Sequence, residues 1–173
     1  KPEVSDKLKK KKDIHVDQNK KEKSERYGFE KVEILNGNIG YIKLKYFADA
    51  GHAKKEVFAI SDQMKNTNAL ILDLRGNLGG SGSMIQLLSG IFLNESETNI
   101  LNIHYSNREV TMKSDLVTAD HKYSEHPVMI LCDDQTYSAG EALCLIFKNR
   151  GRAMLVGSTT AGAVVAAVVC TST

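Results

Sequence analysis

From Tyr27 onwards the apolar and polar positions follow two periods, and each period predicts an element. VEIL (32–35), the reversal Asn36-Gly37-Asn38 and IGYIKLKYF (39–47) read as two strands around a tight turn, because Asn and Gly suit left-handed turn positions. Alternation in the second strand puts Gly40, Ile42 and Leu44 on one face and Ile39, Tyr41 and Lys43 on the other. Between Asp49 and Asn66, the residues Ala53, Val57, Ile60 and Met64 recur at steps of four, three and four, which is one helical stripe. ALILDLR (69–75) is a nearly continuous apolar run, the pattern of a strand buried on both faces. A glycine-rich loop follows, and Met84, Leu87, Leu88 and Ile91 mark a second helix. NILNIHYS and REVTMK predict two further strands, and PVMILC (127–132) another buried one. In TYSAGEALCLIFKNRG, Ala142, Leu145 and Ile146 have helical spacing, Lys148 and Arg150 suit the last turn, and Gly151 stops it. AMLVG is the next strand. Strands alternating with helices predict an α/β fold, a mostly parallel sheet flanked by helices and preceded by an N-terminal hairpin.

Residues 1–26 do not share this patterning. They are polar and rich in lysine and read as a basic linker or a frayed helix, leaving 27–173 as the folded core. The first 31 residues hold 11 Lys/Arg against 7 Asp/Glu, a net of +4, so the remainder of a chain of net charge +2 carries −2. The basic excess belongs to the N-terminal segment. KKKK (9–12) has no interleaved aromatic on which bases would stack, so no nucleic-acid partner is expected. No run of 18 apolar residues exists, and no membrane span is expected. A first residue other than Met suggests a processed or excised fragment, and the apolar tail AVVAAVVCTST reads as a final strand cut short. Cys132, Cys144 and Cys170 have no metal-ligand spacing and form no even disulfide set; the first two sit in apolar runs and read as small core residues. No histidine pair has metal spacing, so neither a metal nor a cofactor is expected.

Two loops remain in which chemistry would be concentrated. Each follows an apolar strand and precedes a helix, and the carboxyl ends of strands are where open α/β sheets bind ligands. DLRGNLGGSG (73–82) offers backbone N–H donors near a helix start, fit for a phosphate or for the oxyanion of a tetrahedral intermediate. It has neither a GK[ST] nor a GxGxxG pattern. Asp73 and Arg75 read as an ion pair or as braces of the loop. TYSAGEA (136–142) puts Ser138 at a helix start. A serine there is most often an N-cap, and Glu141 three residues on fits a capping box. A nucleophile at the same place would stand at the positive end of the helix dipole, with the N–H of Ala139 as an oxyanion donor. The local sequence leaves both readings open.

Taken together, YGFEKVEILNGNIGYIKLKYF, ALILDLRGNLGGSG, PVMILCDDQTYSAGEAL and GRAMLVGSTTAGA resemble, in the same order, blocks of the serine peptidases related to C-terminal processing proteases. The branch containing the tricorn core and the interphotoreceptor retinoid-binding protein modules is most similar. The resemblance covers about four-fifths of the chain, roughly residues 27–163. It implies a crotonase-like or ClpP-like α/β core, Ser138 as nucleophile, and an oxyanion hole from the N–H of Gly79 or Gly80 together with that of Ala139. Asp73, Arg75 and Asn77 would then be loop scaffold. It implies a polypeptide substrate and an exported, periplasmic or cell-envelope protein.

The chain departs from the family in its base. In C-terminal processing proteases a lysine follows the VGxxTxGK-type turn; the matching position here is Ala163. The tricorn-like branch takes a histidine from before the YGF block. His15 lies only 12 residues before Tyr27, too close for that role. His52, His104, His121 and His126 fall in other blocks and read as structural or solvated. The expectation is therefore a serine endopeptidase core that lacks its general base and shows little activity as this chain. The alternative is a non-catalytic module on the same fold that binds a peptide or an apolar ligand. An acyl-CoA enzyme of the crotonase class would leave Ser138 and its block without a role.

Overall fold

Gly37 (φ 85°) and Asn38 (φ 59°) take the left-handed conformations that a tight reversal needs. They join β1 (Phe29–Leu35) to β2 (Ile39–Leu44), which pair antiparallel. The computed structural model describes residues 16–95, 97–104 and 107–164. His15, Cys170 and the tail from residue 165 lie outside them, so the reading of His15 and the expected final strand fall there too. Within the basic N-terminal segment, residues 16–24 form a helix, α1. It is tied down rather than solvated: Glu22 is buried and its carboxylate meets Nδ1 of His52 at 2.9 Å.

After β2 the chain runs through α2 (Ala50–Met64), β3 (Ala69–Asp73), α3 (Gly82–Phe92), the antiparallel pair β4 (Asn99–His104) and β5 (Glu109–Lys113), then β6 (Val128–Cys132), α4 (Ala139–Asn149) and β7 (Ala153–Gly157). The main sheet has the order β1-β2-β3-β6-β7, parallel at every junction except β1–β2. This is the mostly parallel α/β core with an N-terminal hairpin that the periodicities predict. Ala53, Val57, Ile60 and Met64 of α2, and Met84, Leu87, Leu88 and Ile91 of α3, are all buried. So are Ala142, Leu143, Ile146 and Phe147 of α4, and together they form one core with Ile42, Leu44, Leu70, Leu72, Val128 and Ile130 of the sheet. Among the described residues no helix is long and apolar enough to cross a membrane.

One expectation is corrected. β3 and β6 are not buried on both faces. Leu70, Leu72, Val128 and Ile130 lie under the helices, whereas Ile71, Met129 and Leu131 on the reverse face are only half buried. Their neighbours on β7, Met154 and Val156, are 65% and 40% exposed. A run of apolar residues records that both faces tolerate burial; it does not say that the same chain segment covers both.

Candidate active site

β3 and β6 are adjacent and parallel, so the loops leaving their carboxyl ends must meet. The Tyr137 N–H donates to the Asn77 carbonyl (2.9 Å), the Gly76 N–H to Asp133 Oδ1 (2.9 Å) and the Thr136 hydroxyl to the Leu74 carbonyl (2.9 Å). Asn77 is buried at the centre. Its Nδ2 donates to the Leu44 carbonyl (2.7 Å) and its Oδ1 accepts from the Gly79 N–H (2.8 Å). The strand-like segment after β2 adds two more ties: Phe47 N–H to Gly79 O, and Ser81 N–H to Phe47 O, both 2.8 Å. The two loops touch at Gly79, where a Cβ would stand 2.8 Å from both Ser138 Cβ and Tyr137 O.

Ser138 occupies the N-cap position of α4 in a conformation that differs from the other caps. Asp49 and Ser81, which cap α2 and α3, have extended backbones and accept cap hydrogen bonds through their side chains. Ser138 has φ 51° and ψ −113°, outside every region open to an ordinary L-residue. Its hydroxyl is turned towards the Glu141 N–H as in a capping box, yet completes no cap bond of standard geometry. The return half is made: Glu141 Oε2 accepts the Ser138 N–H at 2.8 Å. Ser138 is therefore a strained residue on a sharp strand-to-helix turn rather than an ordinary extended N-cap.

Two backbone donors near Ser138 have no acceptor among the described residues, the N–H of Ala139 and that of Gly80. The N–H of Gly79 is already spent on Asn77. Of the two glycines the sequence offers, Gly80 is therefore the one with a free donor. Leu78, 72% exposed, and Tyr137, half exposed, stand out from the two loops.

The DLR motif braces the loop from the reverse face of the sheet. Asp73 is fully buried at the end of β3 and accepts from Arg75 Nε (2.9 Å), Arg75 Nη2 (2.7 Å), the Arg75 N–H (3.0 Å) and Tyr41 Oη (2.7 Å). Lys43 Nζ lies 3.5 Å away. Burial works against the carboxylate charge, but the hydrogen bonds from Arg75 and Tyr41, with Lys43 nearby, outweigh it and hold the Asp73 carboxyl well below the usual range. Burial, then Asp73, pushes the Tyr41 phenol up to about 12. A carboxyl lowered by folding stabilises the native state above its unfolded pKa, and that contribution is lost as pH falls through the acid range. Asp73→Asn is expected to cost about 1–3 kcal/mol at neutral pH. It is also expected to flatten the fall in stability below about pH 4, as read by urea unfolding across that range.

Sequence reasoning gave Glu141 only a capping role. Here it is buried and also accepts from Thr160 Oγ1 (2.9 Å), Gly162 N–H (2.7 Å) and Ala163 N–H (3.1 Å), which brings the VGSTTAGA turn against the start of α4. The S-x-x-E spacing was the only sequence signal for it. The histidines stand elsewhere. His52 meets Glu22; His121 stacks on Phe58 at 4.1 Å and meets Asp62; His126 lies against Tyr123; His104 is in β4. Cys132 and Cys144 are buried free thiols, and burial raises both, Cys144 to about 12. Among the described residues no cluster of three or more His, Cys, Asp or Glu could hold a metal.

The mostly parallel sheet thus carries a strained serine and a glycine-rich loop at its carboxyl edge. Residues 38–171 match peptidase family S41, and the chain belongs to that family. It is 32% identical over 133 residues to the carboxy-terminal processing protease CtpA of Bacillus subtilis, covering 75% of this chain and 27% of that protein. Among solved structures it is similar to the photosystem II D1 C-terminal processing protease, with a TM-score of 0.57 and 20% identity over 75% of this chain and 34% of that one. It is also similar to the tricorn protease, with a TM-score of 0.50 and 20% identity over 75% of this chain and 11% of that one. At such identities these two likenesses speak for the fold alone. The chain spans about a quarter to a third of the length of the curated relatives it matches.

Proposed function

We propose that this chain carries the catalytic core of a serine endopeptidase, with Ser138 as nucleophile. The observation that carries the reading is the strained backbone of Ser138 at the tip of α4, beside the N–H groups of Ala139 and Gly80, which meet no acceptor among the described residues. Ser138 Oγ adds to the carbonyl carbon of a peptide bond while its proton passes to a base. The carbonyl electrons move onto oxygen, and the N–H groups of Ala139 and Gly80 receive that oxyanion. Collapse expels the amine, which takes the proton, and leaves an ester on Ser138; water then releases the acid by the same route. Asp73, Arg75 and Asn77 hold the donor loop in place. The residues bonded to Ser138 among those described, Glu141 and Ala142, include no lysine or histidine.

That last observation favours a second reading, a non-catalytic module on the same fold that binds a peptide or an apolar ligand. The two separate on covalent chemistry. A fluorophosphonate, which captures nucleophilic serines without needing peptide recognition, is expected to label the chain at Ser138 and leave Ser138→Ala unlabelled, as read by intact mass and peptide mapping. Hydrolysis of an unfolded protein by the wild type but not by Ser138→Ala would extend this to peptide bonds. A folded chain that is neither labelled nor active at Ser138 gives the site to the binding module.

A further inference from the structure

Glu141 does more than cap a helix. Its two oxygens each take two donors. Oε2 accepts the N–H of Ser138 (2.8 Å) and of Ala163 (3.1 Å); Oε1 accepts the Thr160 hydroxyl (2.9 Å) and the N–H of Gly162 (2.7 Å). A helix N-cap needs only the first of these bonds. The other three come from the turn after β7, which is tied down again by the Ala161 N–H on the Thr136 carbonyl (3.1 Å). Glu141 is itself 6% exposed, so water does not compete for these bonds.

We propose that Glu141 is a positioning residue of the proposed reaction: it locks the Ser138 backbone and the 160–163 turn into one unit, which fixes the nucleophile in its strained conformation and decides which N–H groups remain for the oxyanion. This rests on the serine peptidase reading. The physical content is an allocation of donors. The N–H groups of Ser138, Gly162 and Ala163 all donate to the Glu141 carboxylate, so none of them is free to meet a developing oxyanion. Glu141 removes all three from that role. The N–H groups of Ala139 and Gly80 are left without an acceptor among the described residues. The same bonds oppose relaxation of Ser138 towards an ordinary extended N-cap, because that would carry its N–H away from Oε2.

The clamp predicts an unusual intolerance of the mildest substitution. Glutamine matches glutamate in size but has one acceptor oxygen and an NH₂ that would point hydrogens at two donors. Aspartate keeps both acceptor oxygens and is shorter by one methylene. The 173-residue chain is compared as wild type, Glu141→Gln and Glu141→Asp. Thermal unfolding confirms that each variant is folded. Saturation kinetics of fluorophosphonate labelling separate the maximal rate at Ser138 from the affinity for the probe. Hydrogen exchange follows the amides of Ser138, Gly162 and Ala163. The expected result for Glu141→Gln is a maximal labelling rate about 100-fold lower with unchanged probe affinity and faster exchange at all three amides, with partial recovery in Glu141→Asp. A merely structural glutamate would not split rate from affinity in this way. Wild-type labelling kinetics in folded Glu141→Gln would overturn the proposal. If Glu141→Gln does not fold, Glu141→Asp decides: slower labelling with unchanged affinity sustains the clamp, and wild-type kinetics overturn it. If the wild type is not labelled at all, the peptidase reading fails separately, and the clamp then stands or falls on whether the three amides are deprotected in the variants.

Discussion

Lysine in place of Ala163 is expected to raise the rate at which Ser138 is acylated by about 10²–10⁴-fold, the range a positioned general base supplies. A serine hydroxyl is a weak nucleophile near neutral pH until something takes its proton, and among the described residues those bonded to Ser138, Glu141 and Ala142, include no lysine or histidine. In the C-terminal processing proteases that the chain resembles, the base is the lysine after the VGxxTxG turn, and this chain has Ala163 there. The structure shows that the position is still adjacent to the serine. The N–H groups of Ser138 and Ala163 share one acceptor, Glu141 Oε2, so the two backbones are two hydrogen bonds apart. The four-carbon stem of a lysine spans that separation, and Ala163 is half exposed, which leaves room for it. An ammonium placed near the positive end of α4 and partly out of water gives up its proton more readily than one in solution. Labelling of Ala163→Lys by a fluorophosphonate should therefore rise with pH through a lysine titration shifted below its usual range, and Ala163→Lys combined with Ser138→Ala should show none. A folded Ala163→Lys variant that reacts at the parental rate would mean that the turn does not direct residue 163 at Ser138.

What the sequence made legible is what repeats locally. Ala53, Val57, Ile60 and Met64 follow a helical period, and Gly40, Ile42 and Leu44 a strand period; all seven are buried as those periods require. Asn-Gly-Asn specified its turn because few residues accept those backbone angles. The features that decide function depend on partners far along the chain. Gly79 and Gly80 are indistinguishable in the string GG; only the Oδ1 of Asn77 tells them apart, by consuming one N–H. Ser138 and Glu141 have the spacing of an ordinary capping box. Their departure from it comes from the 160–163 turn, which no local pattern connects to α4. In α1, a lysine-rich run looks solvated until Glu22 finds His52 on α2. The apolar runs of β3 and β6 say nothing of which face the chain itself covers.

Adding one methyl group at Gly80 is expected to disrupt the site more than most side-chain deletions. Gly80 has φ 134°, and a Cβ built there would stand 2.2 Å from the Phe47 carbonyl oxygen and 3.0 Å from the Phe47 nitrogen and carbonyl carbon. All three are backbone atoms, so no rotamer change relieves the clash. The segment has to separate, which sacrifices the Phe47–Gly79 and Ser81–Phe47 hydrogen bonds, about 0.5–1.5 kcal/mol each, on top of about 1–2 kcal/mol for a conformation closed to L-residues. The expected loss for Gly80→Ala is about 2–5 kcal/mol, a large part of the stability of a domain this size. A lower bound on the backbone cost comes from Gly151→Ala, at the end of α4 and away from the site. Gly151 also has a positive φ, 60°, but a Cβ there meets nothing within 4 Å, so about 1 kcal/mol is expected. The difference between the two variants in urea unfolding measures the close approach of the loop to Phe47 together with the extra cost of φ 134° over φ 60°. If the donor role of Gly80 is right, Ser138 labelling at a temperature where Gly80→Ala remains folded should fall by a further 10²–10³-fold or so. Equal stability losses in the two variants would mean that the 78–81 loop moves freely away from Phe47; it would then be too mobile to hold an oxyanion donor in register with Ala139.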